Sequence, residues 1–121
     1  MKGFYITCGV FTDDLDSIVK ELEDVLALNL IKSEYIEDDE IYYLKQNESN
    51  EYSIKHFSIH YGNSSGYHIN ELEILHPNYL ISCNIILEDK VNNKIEHIQQ
   101  LRNILSSKEY IKELNFDTDE W

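Results

Sequence analysis

Phe4, Ile6, Cys8 and Val10 fall on alternate positions, with Tyr5, Thr7 and Gly9 between them. A period of two over that length predicts a strand with one buried face. The period then changes. Leu15, Ile18, Val19, Leu22, Val25 and Leu26 recur at spacings of three and four, which lays one apolar stripe along a helix. Thr12 or Asp13 supplies its N-cap, and Asp13, Asp14 and Asp16 put negative charge where a helix start favours it. Strand patterning resumes over residues 30–36 and 41–46, with the polar run 37–40 between them, so these segments read as a hairpin.

Residues 47–51 form a second turn by composition, and residues 52–61 a long strand in which Phe57, Ile59 and Tyr61 alternate with Ser58 and His60. Gly62, Asn63, Ser64, Ser65 and Gly66 make the clearest loop. Residues 67–75 are ambiguous and lean to strand, and Pro77 and Asn78 break them. Residues 79–87 carry Ile81, Cys83, Ile85 and Leu87 on one side and Leu80, Ser82, Asn84 and Ile86 on the other, a strand covered on both faces. A second helix is expected over residues 91–105, with Ile95, Ile98, Leu101, Ile104 and Leu105 as its stripe. Tyr110, Ile111 and Leu114 suggest further helical turns, and residues 116–121 form an acidic tail ending in Trp121. The expected architecture is a single α+β domain of order β-α-β-β-β-(β)-β-α. Its sheet is antiparallel or mixed, with helices packed on one face. A first strand-helix-three-strand unit spans residues 3–61 and a second part spans 67–115.

Composition narrows the class. With 42% hydrophobic residues in 121, the chain has enough apolar surface for a core and does not match disordered composition. No stretch approaches the roughly 20 apolar residues a bilayer span needs. The N-terminus lacks the apolar run and small-residue cleavage site of a signal peptide. Cys8 and Cys83, far apart in sequence and each in a strand-like apolar run, read as buried reduced thiols of a cytoplasmic protein.

Charge changes the picture most. Asp and Glu number 23 against 10 Lys and Arg, a net charge of −13, and the sequence pI is about 4.6. The excess is also local. Glu34, Glu37, Asp38, Asp39 and Glu40 fall within residues 33–44, where there is no basic residue, and Tyr35, Tyr42 and Tyr43 accompany them. Such a surface attracts a basic partner and repels nucleic acid and anionic lipid. Tyrosine adds large, fairly rigid contact area beside charges that govern association rate. The same run also fits an ordinary solvated turn.

The residues give little support to catalysis. The four glycines, Gly3, Gly9, Gly62 and Gly66, build no phosphate-cradling loop. His56 and His60 lie four apart, roughly 13 Å along a strand and too far for two ligands of one ion. His68, His76 and His97 are more distant still. Glu71 and Glu73 alternate with Leu72 and Ile74, the pattern of a solvated strand face. No catalytic residues, no metal site and no cofactor are expected.

Two family resemblances attach to these residues. Thr12, Asp13, Asp14, Leu15 and Asp16, leading to Leu22 and then Asp24, Val25, Leu26, Ala27 and Leu28, resemble the opening of a glyoxalase/vicinal-oxygen-chelate module over residues 4–46. That module is strand, helix, then three strands. It departs from the family pattern where Lys20 and Glu21 stand in place of a Phe-Tyr pair. This likeness implies a small-molecule-binding or lyase-like protein on a half module. The whole chain is more similar in character to the small acidic immunity proteins of bacterial polymorphic and contact-dependent-inhibition toxin systems. The shared features are length, acidity, the run Gly9, Val10, Phe11, Thr12, Asp13, Asp14, Leu15, the tyrosine-rich strands and an Ile/Asn/Lys-rich composition. That resemblance implies a cytoplasmic protein that binds a cognate basic toxin domain, a nuclease, one to one and occludes its active site. Glu34, Glu37, Asp38, Asp39 and Glu40 would supply charge complementarity, and Tyr35, Tyr42 and Tyr43 packing anchors. No direct contact with nucleic acid or membrane is expected.

Overall fold

The computed structural model describes residues 1–34, 40–45, 50–62, 66–88 and 94–121. The chain runs β1 (Lys2–Val10), α1 (Leu15–Leu26), β2 (Leu30–Lys32), β3 (Glu40–Leu44), β4 (Ile54–Tyr61), β5 (Tyr67–His68), β6 (Ile74–Leu75), β7 (Tyr79–Leu87), α2 (Lys94–Leu105) and β8 (Ile111–Glu120). Six strands form one sheet in the order β2-β3-β4-β7-β1-β8, and β5 and β6 form a separate two-stranded ribbon. Every neighbouring pair is antiparallel. The fold is α+β, as the alternation of periods indicates.

This order explains the layering. β1 and β2 run parallel with three strands between them, joined through α1. β7 and β8 run parallel on either side of β1, joined through α2. The two connections travel in opposite directions across the sheet and start from strands that point opposite ways. Crossovers of one hand therefore bring both helices to the same face. There Phe4, Ile6, Cys8 and Val10 of β1, Phe57 and Ile59 of β4, and Ile81, Cys83, Ile85 and Leu87 of β7 pack in one core. The helices contribute Ile18, Val19, Leu22 and Leu26 of α1 and Ile98, Leu101 and Leu105 of α2. Val25 and Ile95, expected in the stripes, are 48% and 82% exposed. At about 100° per residue each lies roughly a quarter turn from the centre of its buried stripe. On β7, Leu80, Ser82, Asn84 and Ile86 are half-buried, so the second face of this strand is only partly covered.

The start of α1 falls one residue beyond the expected caps. The Asp14 carboxylate accepts from the Ser17 backbone N–H at 3.4 Å and from the Ser17 hydroxyl at 2.9 Å, satisfying groups the helix leaves open. At the other end Ala27 adopts the left-handed conformation. The Leu28 N–H bonds the Glu23 carbonyl at 3.1 Å. The Glu23 carboxylate then accepts from the Leu30 N–H at 3.1 Å, tying the helix end to β2.

The largest correction concerns the C-terminal region. Residues 111–120, read as helical turns and a tail, are a ten-residue strand paired along β1. Glu113 lies opposite Cys8 and Asn115 opposite Thr7, so Leu114 is an extra residue in the ladder. That bulge brings Ile111, opposite Val10, and Phe116, opposite Ile6, to the helix face although they are five apart. A period-two reading cannot find such a pair, and the 111–114 spacing imitates a helix.

Arg102 of α2 holds β8 in place. Its Nε and Nη2 donate to the two oxygens of Glu113 at 2.7 and 2.8 Å. Its guanidinium lies 3.9 Å from the centre of the Phe116 ring, which stacks on Phe4 at 6.2 Å. Lysine would keep the charge but lose the fork and the flat stacking surface. Arg102→Lys is therefore expected to cost about 1–2 kcal/mol, read as a lower urea midpoint at unchanged slope.

Cys8 and Cys83 are both buried and unbonded to each other. Burial, and secondarily the Glu113 charge, push the Cys8 thiol from its ordinary 9.0 up to about 12. Burial first and Cys8 second push Cys83 up as well. The hydrogen bond from the Tyr110 hydroxyl to Glu21, aided by burial, raises that phenol from 10.0 to about 12. All three groups hold their protons more tightly folded than unfolded. Unfolding free energy should accordingly fall as pH rises from about 9 to about 12, as the unfolded chain ionises first. Urea titrations across that range check it, and Cys8→Ala should flatten the decline.

Candidate functional site

Of the eight residues expected to meet a partner, Tyr35, Glu37, Asp38 and Asp39 lie outside the described residues. Glu34 is exposed just beyond β2, and Glu40 is half-buried at the start of β3, opposite His60. The two remaining tyrosines separate. Tyr42 lies opposite Ile59 and packs against the core, whereas Tyr43 lies opposite Ser58 on the face the helices leave bare. Tyr42 thus supports the fold, and Tyr43 is the one of this pair turned away from the core.

Strand direction gathers other residues near Glu34 and Glu40. β2 ends, β3 begins, β4 ends and β7 begins at one pole of the sheet, where Tyr61, Tyr79 and Val10 lie in register. The β4–β7 connection closes with the Gly62 N–H bonded to the Asn78 carbonyl at 2.9 Å and the Asn78 N–H bonded to the Val10 carbonyl at 2.7 Å. A Cβ on Gly62 would lie 2.0 Å from the Pro77 carbonyl oxygen, so no other residue fits this approach. From this neck projects the β5–β6 ribbon, where the sequence leaned to one continuous strand. Its turn depends on Asn70, whose side-chain oxygen accepts from the N–H groups of Leu72 at 2.8 Å and Glu73 at 2.9 Å. Tyr61 is 61% exposed and rests 6.2 Å from the Tyr79 ring. The pole therefore joins Glu34, Glu40, Glu71 and Glu73 to exposed apolar side chains from a second connection.

The bare face holds a second arrangement. His56, Ser58 and His60 follow one another along β4. The Ser58 Oγ lies 3.2 Å from the His56 Nε2 and 2.7 Å from the His60 Nε2. Both rings lean along the strand toward the residue between them. One hydroxyl has one proton and two lone pairs, so Ser58 donates to at most one ring and accepts an N–H from the other or from both. Its full burial excludes it from attacking a substrate; it fixes the two rings. Among the described residues no three His, Cys, Asp or Glu side chains gather in a way that would hold a metal ion. His68 and His76 are exposed, and the His97 ring packs 5.6 Å from Tyr52 on the helix side.

Among the described residues no helix is long and apolar enough to cross a membrane. Compared with protein-family models, curated proteins and solved structures, the chain matches none of them.

Ser58→Ala removes the shared partner while leaving both rings in place. It should cost about 1–2 kcal/mol. It should also shift the side-chain nitrogen NMR signals of both His56 and His60, since each Nε2 loses its hydroxyl partner.

Proposed function

We propose that this chain is a binding protein that neutralises a basic macromolecular partner, and that the partner is a bacterial toxin domain, a nuclease, whose cationic active site it occludes in a one-to-one complex. One observation carries this reading. Two connections at the same pole present carboxylates, Glu34 and Glu40 from one and Glu71 and Glu73 from the other, beside exposed Tyr61, on a molecule of net charge −13. Charge of one sign concentrated beside apolar contact area speeds encounter with an oppositely charged protein and gives the encounter something to settle on. In a nuclease groove these carboxylates compete for the cations that would otherwise meet phosphate. The whole-chain resemblance to acidic immunity proteins points the same way.

The test is genetic and then kinetic. The toxin domain encoded beside this gene should arrest growth when expressed alone and be silenced by this chain. In vitro, Glu34→Gln with Glu40→Gln, or Asp38→Asn with Asp39→Asn, should lower the association rate by about tenfold at low salt and flatten its ionic-strength dependence, with little change in dissociation. Unchanged rates would remove the β2–β3 connection from the interface. A melting temperature that rises with divalent metals, with no toxin bound, would move the reading to a small-molecule-binding or lyase-like protein.

A further inference from the structure

The ribbon between β4 and β7 carries more than its share of unburied apolar surface. Leu72 is 98% exposed at its tip, and Ile69 and Ile74 are 37% and 44% exposed beside it. A single exposed leucine is ordinary. Here the backbone that holds it out is fixed. Asn70 caps the turn through the N–H groups of Leu72 and Glu73, and the Ile69 N–H bonds the Glu73 carbonyl at 3.0 Å. At the base Gly66 takes a positive φ of 84°, where a Cβ would meet Ile74 Cγ2 at 2.6 Å and the His76 ring at 2.8 Å. A side chain presented on a formed turn binds without first ordering its own loop. On either side of Leu72, Glu71 and Glu73 are exposed.

We propose that this ribbon is a docking finger, with Leu72 entering an apolar pocket on a basic protein whose pocket rim carries Lys or Arg facing Glu71 and Glu73. This rests on the reading of the chain as a neutraliser of a basic partner and names the element that anchors it. Charge complementarity selects the occupant. A second copy of this chain would set like carboxylates against Glu71 and Glu73, and an anionic lipid surface would repel them. The division of labour is specific. The apolar tip controls how long the complex lasts, and the flanking acids control how fast it forms.

The probe is the purified toxin domain encoded beside the gene, immobilised and met by this chain and its variants. Leu72→Ser should raise Kd tenfold or more, to about that extent through faster dissociation. It should leave the melting temperature unchanged, because Leu72 packs on nothing in its own chain. Glu71→Gln with Glu73→Gln should slow association several-fold at low salt and leave dissociation nearly as it was. If the unaltered chain binds tightly and Leu72→Ser binds within about twofold of it, the finger is wrong while the neutralising role stands. If the unaltered chain does not bind, that role falls and the finger with it. Self-association of the chain that Leu72→Ser abolishes, or vesicle binding that it abolishes, would assign the tip to another occupant and overturn the proposal.

Discussion

Pairing of β1 with β7 on one side and β8 on the other is the constraint from which the rest of the architecture follows. β1 lies inside the sheet, and its alternate residues Phe4, Ile6, Cys8 and Val10 are almost wholly buried. The chain leaves β1 through α1 to reach the far edge and leaves β7 through α2 to reach the near one. Since both crossings share a hand, one face receives both helices and the entire apolar core. The opposite face is left to Tyr5, Thr7, Tyr43, His56, His60 and Asn84, with Ser58 buried among them. A protein of this size gains nearly all its burial from one layer of helices on one sheet, and the other face is available for something else.

Much of this was legible in the residues, and the failures have physical causes. The period of two in β1 and β7 and the stripe of α1 gave strands and helix directly, because each buries one face against a continuous core. β8 escaped because Leu114 interrupts the alternation, so apolar residues five apart share a side. The ribbon escaped because its strands are two residues each, shorter than any periodicity can reveal; only the turn chemistry of Asn70 and the glycine at 66 gave a local signal. The site was partly legible. Acidity and flanking tyrosines marked the β2–β3 connection, but which of Tyr42 and Tyr43 turns inward depends on the extra residue at Ile41 and the register against β4. The His56, Ser58 and His60 hydrogen bonds left no signal in the sequence, because the alternation of a strand face is the same whether or not its side chains bond one another.

The few basic residues are not all spent alike. Arg102 is turned inward, where it meets the carboxylate of Glu113 and the face of Phe116, and it neutralises an acid of β8 beside the core. The other acids of that strand, Asp117, Asp119 and Glu120, remain exposed along the free edge of the sheet. An edge strand of ten residues would invite pairing with any extended chain, and a row of like charges with a bulge in its middle discourages it. The acidity thus has two uses in one molecule: deterrence along β8 and, in the proposed complex, attraction at the pole.

Met1 and Trp121 exchange hydrogen bonds, the terminal amine donating to the Trp121 carbonyl at 2.8 Å and the Trp121 N–H to the Met1 carbonyl at 3.1 Å. They meet at the end of β1 remote from the ribbon. A fluorophore, affinity handle or surface tether attached at either position would therefore sit at the far end of the sheet from the ribbon, and a short peptide bridging the two would leave the ribbon's surroundings untouched.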